Sequence, residues 1–253
     1  MEDSDSVIER DELEPSPKVA VHPVPWSKRD MLWAVMLGLG VVLALVVVLV
    51  VGLQLLSSAT DISFSPGWFG TVVLMAELGL LLPVWALGVL KYRVPWGTVG
   101  FRRFDLLRGT GLGCLFLFGA LGCNVLWAIA LAFFDLRAQP DVLPLFGGGT
   151  SGLLMALLAG GLVAPIAEEA FFRGYLFAGL RQHLGRLPGI VLSSALFAVL
   201  HILPTSWPPI FLLGMLFAVL YEQTGSIWPA VFVHGTINAL SFLSSYLFQV
   251  VGG

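Results

Sequence analysis

The sequence predicts an all-α, polytopic integral membrane protein of seven or eight transmembrane helices. Of its 253 residues, 57% are hydrophobic and only 11% charged, against roughly 25% charged in soluble chains. The apolar residues gather into seven runs, at about 31–56, 67–90, 111–134, 151–177, 189–203, 208–221 and 227–250. The basic residues fall between those runs with a bias to one side of the membrane.

Residues 1–27 stand apart. Glu2, Asp3, Asp5, Glu9, Asp11, Glu12 and Glu14, with several prolines, form a composition that cannot bury a core. This segment reads as a disordered acidic tail and 28–253 as one membrane domain. With no basic n-region or small-residue cleavage site visible, the first run reads as a retained anchor.

Five runs are long enough for a hydrocarbon core of about 30 Å at 1.5 Å per residue. The fifth and sixth are short and read as a partial hairpin that returns the chain to the side it left. Lys28 and Arg29 precede the first run, Lys91, Arg93, Arg102, Arg103 and Arg108 lie between the second and third, and Arg181 and Arg186 between the fourth and fifth. Only Arg137 falls on the opposite side. The positive-inside rule therefore puts the N-terminus and the loops at 91–110 and 178–188 in the cytoplasm, and the C-terminus outside. No basic footprint for nucleic acid is present. Cys114 and Cys123 read as packing residues within one run rather than a disulfide or metal pair.

Several side chains are polar where lipid would oppose them: Glu168, Glu169 and Arg173 in the fourth run, His201 at the end of the fifth, Glu222 near a helix end, and His234 with Asn238 in the seventh. A charged side chain at the bilayer centre costs about 2.5 kcal/mol or more, so a cluster of three needs partners or a task. Glu169 and Arg173 are four apart with the acid first, the favourable order for a same-face ion pair, while Glu168 projects about 100° away. One carboxylate is thereby available for structure and its neighbour left free. Phe197 lies one turn before His201, and His234 and Asn238 share a helix face. Each histidine alone fits a hydrogen-bonded core residue or a polar bridge between helices. Depth joins them: Glu168 and His234 lie about 10 Å in from the cytoplasmic ends and His201 about 18 Å in. A carboxylate, two imidazoles and an amide at similar depth form a set suited to activating water and stabilising an oxyanion.

These residues carry a resemblance. E-E-A-F-F-R fits an EExxxR motif, F-A-V-L-H an FxxxH motif and H-G-T-I-N an HxxxN motif. In that order and spacing they resemble the CPBP family of intramembrane proteases, which includes CAAX prenyl endopeptidases and bacteriocin-processing or immunity proteins. T-G-S-I-W-P-A-V before His234 and T-V-G-F-R-R-F near residue 100 resemble further elements of the family. The resemblance covers about 95–245, with a motif core at 151–240. It implies that 28–253 is a transmembrane protease domain in which Glu168 is the general base, His201 helps to hold the water, and His234 and Asn238 donate to the oxyanion. Glu169, Arg173 and Phe197 would support them. The depth count, apart from the resemblance, puts the site in the cytoplasmic half to middle of the bilayer.

No cofactor is expected, since the chain has no H-E-x-x-H and no cysteine near the motifs. The alternative is a zinc ion on Glu168, His201 and His234. The expected partners are the bilayer and a membrane-protein, lipid-modified or leader-peptide substrate. A non-catalytic membrane interaction or immunity protein with the same fold is a rival reading. A proton-coupled transporter is another, weakened by the absence of a repeated half with matching broken spans. Where the family's prenyl endopeptidases have eight helices, seven runs are visible here, so a short helix is expected in 135–150 or 178–188. Glu77 and Asn124, inside the second and third runs, have no role assigned, and Glu77 reads as structural. His22 and His183 read as solvated.

Overall fold

The computed structural model describes residues 22–59, 67–136, 141–201 and 203–252. The expected disorder of 1–21 and the position of Arg137 lie outside them. Seven principal helices follow the seven apolar runs: α1 Lys28–Ala59, α2 Gly67–Leu90, α3 Leu106–Ala132, α4 Gly149–Leu184, α5 Arg186–Val199, α6 Trp207–Thr224 and α7 Trp228–Gly252. No strand occurs among the described residues.

All but α5 are long and apolar enough to cross a membrane. The sixth run, expected to be short, gains a turn at Pro204–Ser206 and counts as a full candidate span. Among the described residues the regions expected to hide an eighth helix hold a 3-10 turn at Leu143–Phe146 and the ends of α4 and the start of α5, with no separate long helix.

Local chemistry sets the helix ends. Ser27 and Asp30 cap α1 reciprocally: the Asp30 carboxylate accepts from the Ser27 amide at 2.9 Å, and the Ser27 hydroxyl accepts from the Asp30 amide at 3.3 Å. Asp30 also accepts from Lys91 and Tyr92, which ties the start of α1 to the end of α2. The bond to Asp30 holds the Lys91 ammonium above its ordinary pKa. The Asp105 side chain caps α3 by accepting from the Arg108 amide at 2.9 Å. Pro83, inside α2, lacks the N–H a regular helix needs, and the chain continues as a π-helical segment over Trp85–Leu90. α6 stops at Gly225, whose φ of 66° is left-handed.

α4 is the axis of the molecule. Every residue from Glu169 to Gly179 is buried, and Phe171, Phe172, Tyr175 and Phe177 anchor the largest core cluster. The outer helices leave leucines, valines and phenylalanines exposed, as in Leu43, Val48, Leu107, Phe118, Leu126 and Phe248. That surface suits lipid tails.

The α5–α6 pair is the expected hairpin. Glu222, buried near the end of α6, accepts from Arg181 Nε at 2.8 Å and Arg186 Nε at 2.6 Å, so α6 returns to the end where α5 began. The same end receives the loop before α3. Ile227 N donates to Gly100 O at 3.1 Å, and Ser226 Oγ to Arg102 O at 2.8 Å. The Val99 carbonyl comes so close to α4 that a Cβ on Gly174 would lie 2.0 Å from it. T-V-G-F-R-R-F, T-G-S-I-W and the glycine after Arg173 are therefore one packing unit.

Three expectations need correction. The composition of 22–27 predicts a solvated tail, yet Val24 and Trp26 are buried. Val24 N donates to Gln182 Oε1 at 2.7 Å, Gln182 Nε2 donates to Val24 O at 2.9 Å, and Trp26 stacks on Tyr175 with ring centroids 4.6 Å apart. His183 is drawn into the same contact, 3.0 Å from Trp26 O, while His22 is exposed. The reason is that Trp26 is the largest apolar side chain in the segment and finds a pocket floored by Gly88 and Gly179. Cys114 and Cys123 are free, as expected, but lie exposed on α3 rather than packed.

Candidate active site

Glu168, His201, His234 and Asn238 line one cavity of ≈ 490 Å³. They come from α4, the turn after α5, and α7. Glu169 and Arg173 stand behind the wall. The separation follows from helical geometry, since adjacent residues of α4 point about 100° apart.

Behind the wall, Arg173 Nη1 donates to Glu169 Oε1 at 3.0 Å, with both side chains essentially inaccessible. Arg173 Nη2 donates to Gly214 O at 3.3 Å. The guanidinium carbon lies 4.3 Å from the Phe197 ring centroid, 5.1 Å from Phe217 and 5.8 Å from Phe172. A buried cation thus has a carboxylate, a carbonyl and three aromatic faces, the kind of compensation that a charge away from water demands.

The pair reaches the cavity through His234. Its Nδ1 is 3.0 Å from Glu169 Oε1. Because a carboxylate only accepts, Nδ1 carries a proton, and Nε2 is the nitrogen turned towards Glu168 Oε2, 3.8 Å away. Phe217 stacks on the imidazole at 5.2 Å and Phe197 meets it edge-on at 5.9 Å, so the ring is held on two faces. Glu168 Oε2 has no hydrogen-bond partner among the described residues.

His201 sits beyond the end of α5, with Nδ1 2.8 Å from Phe197 O. A carbonyl also only accepts, so Nδ1 carries the proton and Nε2 of the neutral ring is an acceptor. Trp207 Nε1 donates to the His201 carbonyl at 2.6 Å, and Trp127 Nε1 to the Thr205 carbonyl at 2.8 Å, pinning the hairpin turn from two sides.

Asn238 has a backbone task. In the π-helical stretch Leu157–Val163 the Ala164 N–H reaches Ala159 O. In that register the next carbonyl, Gly160 O, would be served by residue 165, which is proline and has no N–H. Asn238 Nδ2 donates to Gly160 O at 2.8 Å instead. Its amide has a second N–H, and the side chain borders the cavity. Gly235 allows this approach: a Cβ there would lie 2.6 Å from Gly161 O.

The sequence reading missed Phe217, Gly160 and Gly214. Phe217 and Gly214 stand in an apolar run where nothing polar marks them. Pro165 was the available signal for Gly160, since it leaves a carbonyl without a donor. Asn124, noticed but unassigned, also borders the cavity. Glu77 lies within α2.

Among the described residues no three His, Cys, Asp or Glu side chains gather into a set that could hold a metal ion. Glu168, His201 and His234, the residues that would hold zinc in the alternative reading, all border the cavity.

Residues 150–240 match the family described as Type II CAAX prenyl endopeptidase Rce1-like. Among curated proteins, the chain is 28% identical over 135 residues to the Bacillus subtilis (strain 168) protein named "Putative membrane peptidase YdiL", covering 47% of this chain and 55% of that relative. The chain thus matches about half the length of that relative. No solved structure matches. The matched segment spans α4 to α6 and the first half of α7, and so includes Glu168, His201, His234 and Asn238. The resemblance to the CPBP intramembrane proteases carried by EExxxR, FxxxH and HxxxN is borne out over residues 150–240.

Proposed function

We propose that this protein is an intramembrane endopeptidase of the CAAX type that hydrolyses a peptide bond in a membrane-associated or lipid-anchored protein. The observation that carries the proposal is the shared cavity: Glu168, His201, His234 and Asn238 border it while Glu169 and Arg173 do not. Glu168 Oε2, lacking a partner, takes a proton from water, and His201 Nε2 steadies that water by accepting its other hydrogen. The hydroxide adds to the scissile carbonyl carbon. The resulting oxyanion accepts from His234 Nε2, which donates in the imidazolium form, and from the second Nδ2–H of Asn238. The bond to nitrogen then breaks, and the protonated Glu168 returns its proton to the leaving amine. Glu169 and Arg173 are supporting residues that hold the His234 ring.

The basic loops support an orientation with the N-terminus in the cytoplasm and the cavity in the cytoplasmic half to middle of the bilayer. Membrane proteomics comparing cells that carry the intact protein with cells that carry Glu168→Gln tests the reading. A membrane-associated species should persist uncleaved in the variant. Identical cleavage products in both strains overturn it, and rescue of a deletion phenotype by Glu168→Gln would favour the binding-protein alternative. Elemental analysis of the purified protein decides between the metal-free and zinc-dependent forms.

A further inference from the structure

Asn124 is a polar group in the cavity wall that neither the fold nor the proposed chemistry uses. Asn124 lies in the middle of α3, a helix with little else polar along its length. It borders the same cavity as Glu168 and His234. It has no hydrogen-bond partner among the described residues, whereas the other cavity carboxamide, Asn238, is tied to Gly160 O. Leu121, Asn124 and Trp127, spaced by three, all border the cavity and so present one face of α3 to it. The bond from Trp127 Nε1 to Thr205 O holds that face in place. Asn124 lies outside the matched segment 150–240.

Asn124 is half-buried, so its carboxamide is open to the cavity and free to pair with whatever occupies it. A carboxamide offers one acceptor and two donors side by side, complementary to a peptide group. The same protein displays that pairing at its other end, where Gln182 accepts from Val24 N at 2.7 Å and donates to Val24 O at 2.9 Å. A substrate that stayed helical would present nothing to Asn124, because a helix satisfies its own N–H and C=O groups. An unwound segment exposes them.

We infer that Asn124 is a substrate-positioning residue whose carboxamide hydrogen-bonds a peptide group of an extended, unwound stretch of the substrate. The bond sets which peptide unit faces Glu168. This rests on the peptidase reading for the identity of the ligand, but peptide binding is measurable without cleavage.

The test uses the full chain in detergent micelles. The probe is a fluorescent, internally quenched pool of apolar dodecapeptides with six randomised central residues. Binding is read by anisotropy in the Glu168→Gln background and turnover in the otherwise native protein. Asn124→Leu should weaken binding of the best peptide about tenfold, the worth of one neutral hydrogen bond. It should raise KM to match and leave kcat within about threefold. Asn124→Gln, which keeps the carboxamide, should recover part of the loss. Replacing each peptide N–H of that peptide by an ester oxygen in turn should give one position that weakens binding to the Asn124 protein and costs nothing further in Asn124→Leu. That non-additivity would not follow from a merely structural role.

Unchanged binding in Asn124→Leu, losses that add at every ester position, or no saturable binding by any pool member overturns the inference. Binding that depends on Asn124 without cleavage would sink the peptidase reading alone. Cleavage that depends on Glu168 but is indifferent to Asn124 would sink this inference alone.

Discussion

His234 Nδ1 and Arg173 Nη1 both lie 3.0 Å from the same oxygen, Oε1 of Glu169. The ion pair inside α4 is therefore also the device that orients the imidazole on α7. Its neighbour Glu168 points into the cavity without a partner. The two adjacent carboxylates should respond oppositely to the same substitution. Glu169→Gln strands a buried guanidinium and should cost about 3–5 kcal/mol of stability. Glu168→Gln should leave stability within about 1 kcal/mol of the native protein, because no bond to Oε2 is lost, yet abolish turnover. Thermal unfolding in detergent alongside peptide turnover separates them, and equal destabilisation by both would refute the division.

Asn238 completes a helix that proline leaves incomplete. Asn238→Ala should destabilise by about 1–3 kcal/mol, the cost of a buried carbonyl without a donor. Pro165→Ala restores a backbone N–H beside Gly160 O, so the penalty of Asn238→Ala should shrink in that background. A double-mutant cycle on unfolding midpoints measures the coupling, and additive effects would contradict the proposed bond.

Gly174 admits the loop before α3. Gly174→Ala puts a methyl 2.0 Å from the Val99 carbonyl, a contact with backbone that no side-chain rotation relieves. A loss of about 1–3 kcal/mol is expected. Gly111, with nothing within 4 Å of its Cβ position, provides the control substitution, and its alanine variant should be neutral or slightly stabilising.

Glu222 fastens the base of the α5–α6 hairpin through Arg181 and Arg186, whose side chains are 23% and 59% exposed. Water can take up both arginines when the carboxylate is lost. Glu222→Gln should therefore cost only about 1 kcal/mol, a smaller penalty than Glu169→Gln. Part of the difference from the native protein should fade as salt is raised. A salt-independent loss as large as that of Glu169→Gln would place Glu222 in the buried network instead.

Periodicity and composition encode the parts of this protein that are local in the chain. Seven apolar runs became seven helices because in hydrocarbon each segment must satisfy its own backbone groups. The spacing of Glu169 and Arg173 made their pairing a local event within α4, and the step of one residue to Glu168 turned that carboxylate away. The hairpin and the resemblance carried by three motifs were also legible. Contacts between helices distant in the chain emerge only once the helices pack. Phe217 joined His234 by packing, where any apolar residue reads alike in sequence. Asn238 met Gly160 O because a π-helical register and Pro165 left that carbonyl free on another helix. Trp26 left the tail for a glycine-floored pocket, and Asn124 reached the cavity only because α3 closes over it. Short-range geometry is written in the spacing of residues, whereas such partners are chosen by the shape of packed surfaces, which no single segment contains.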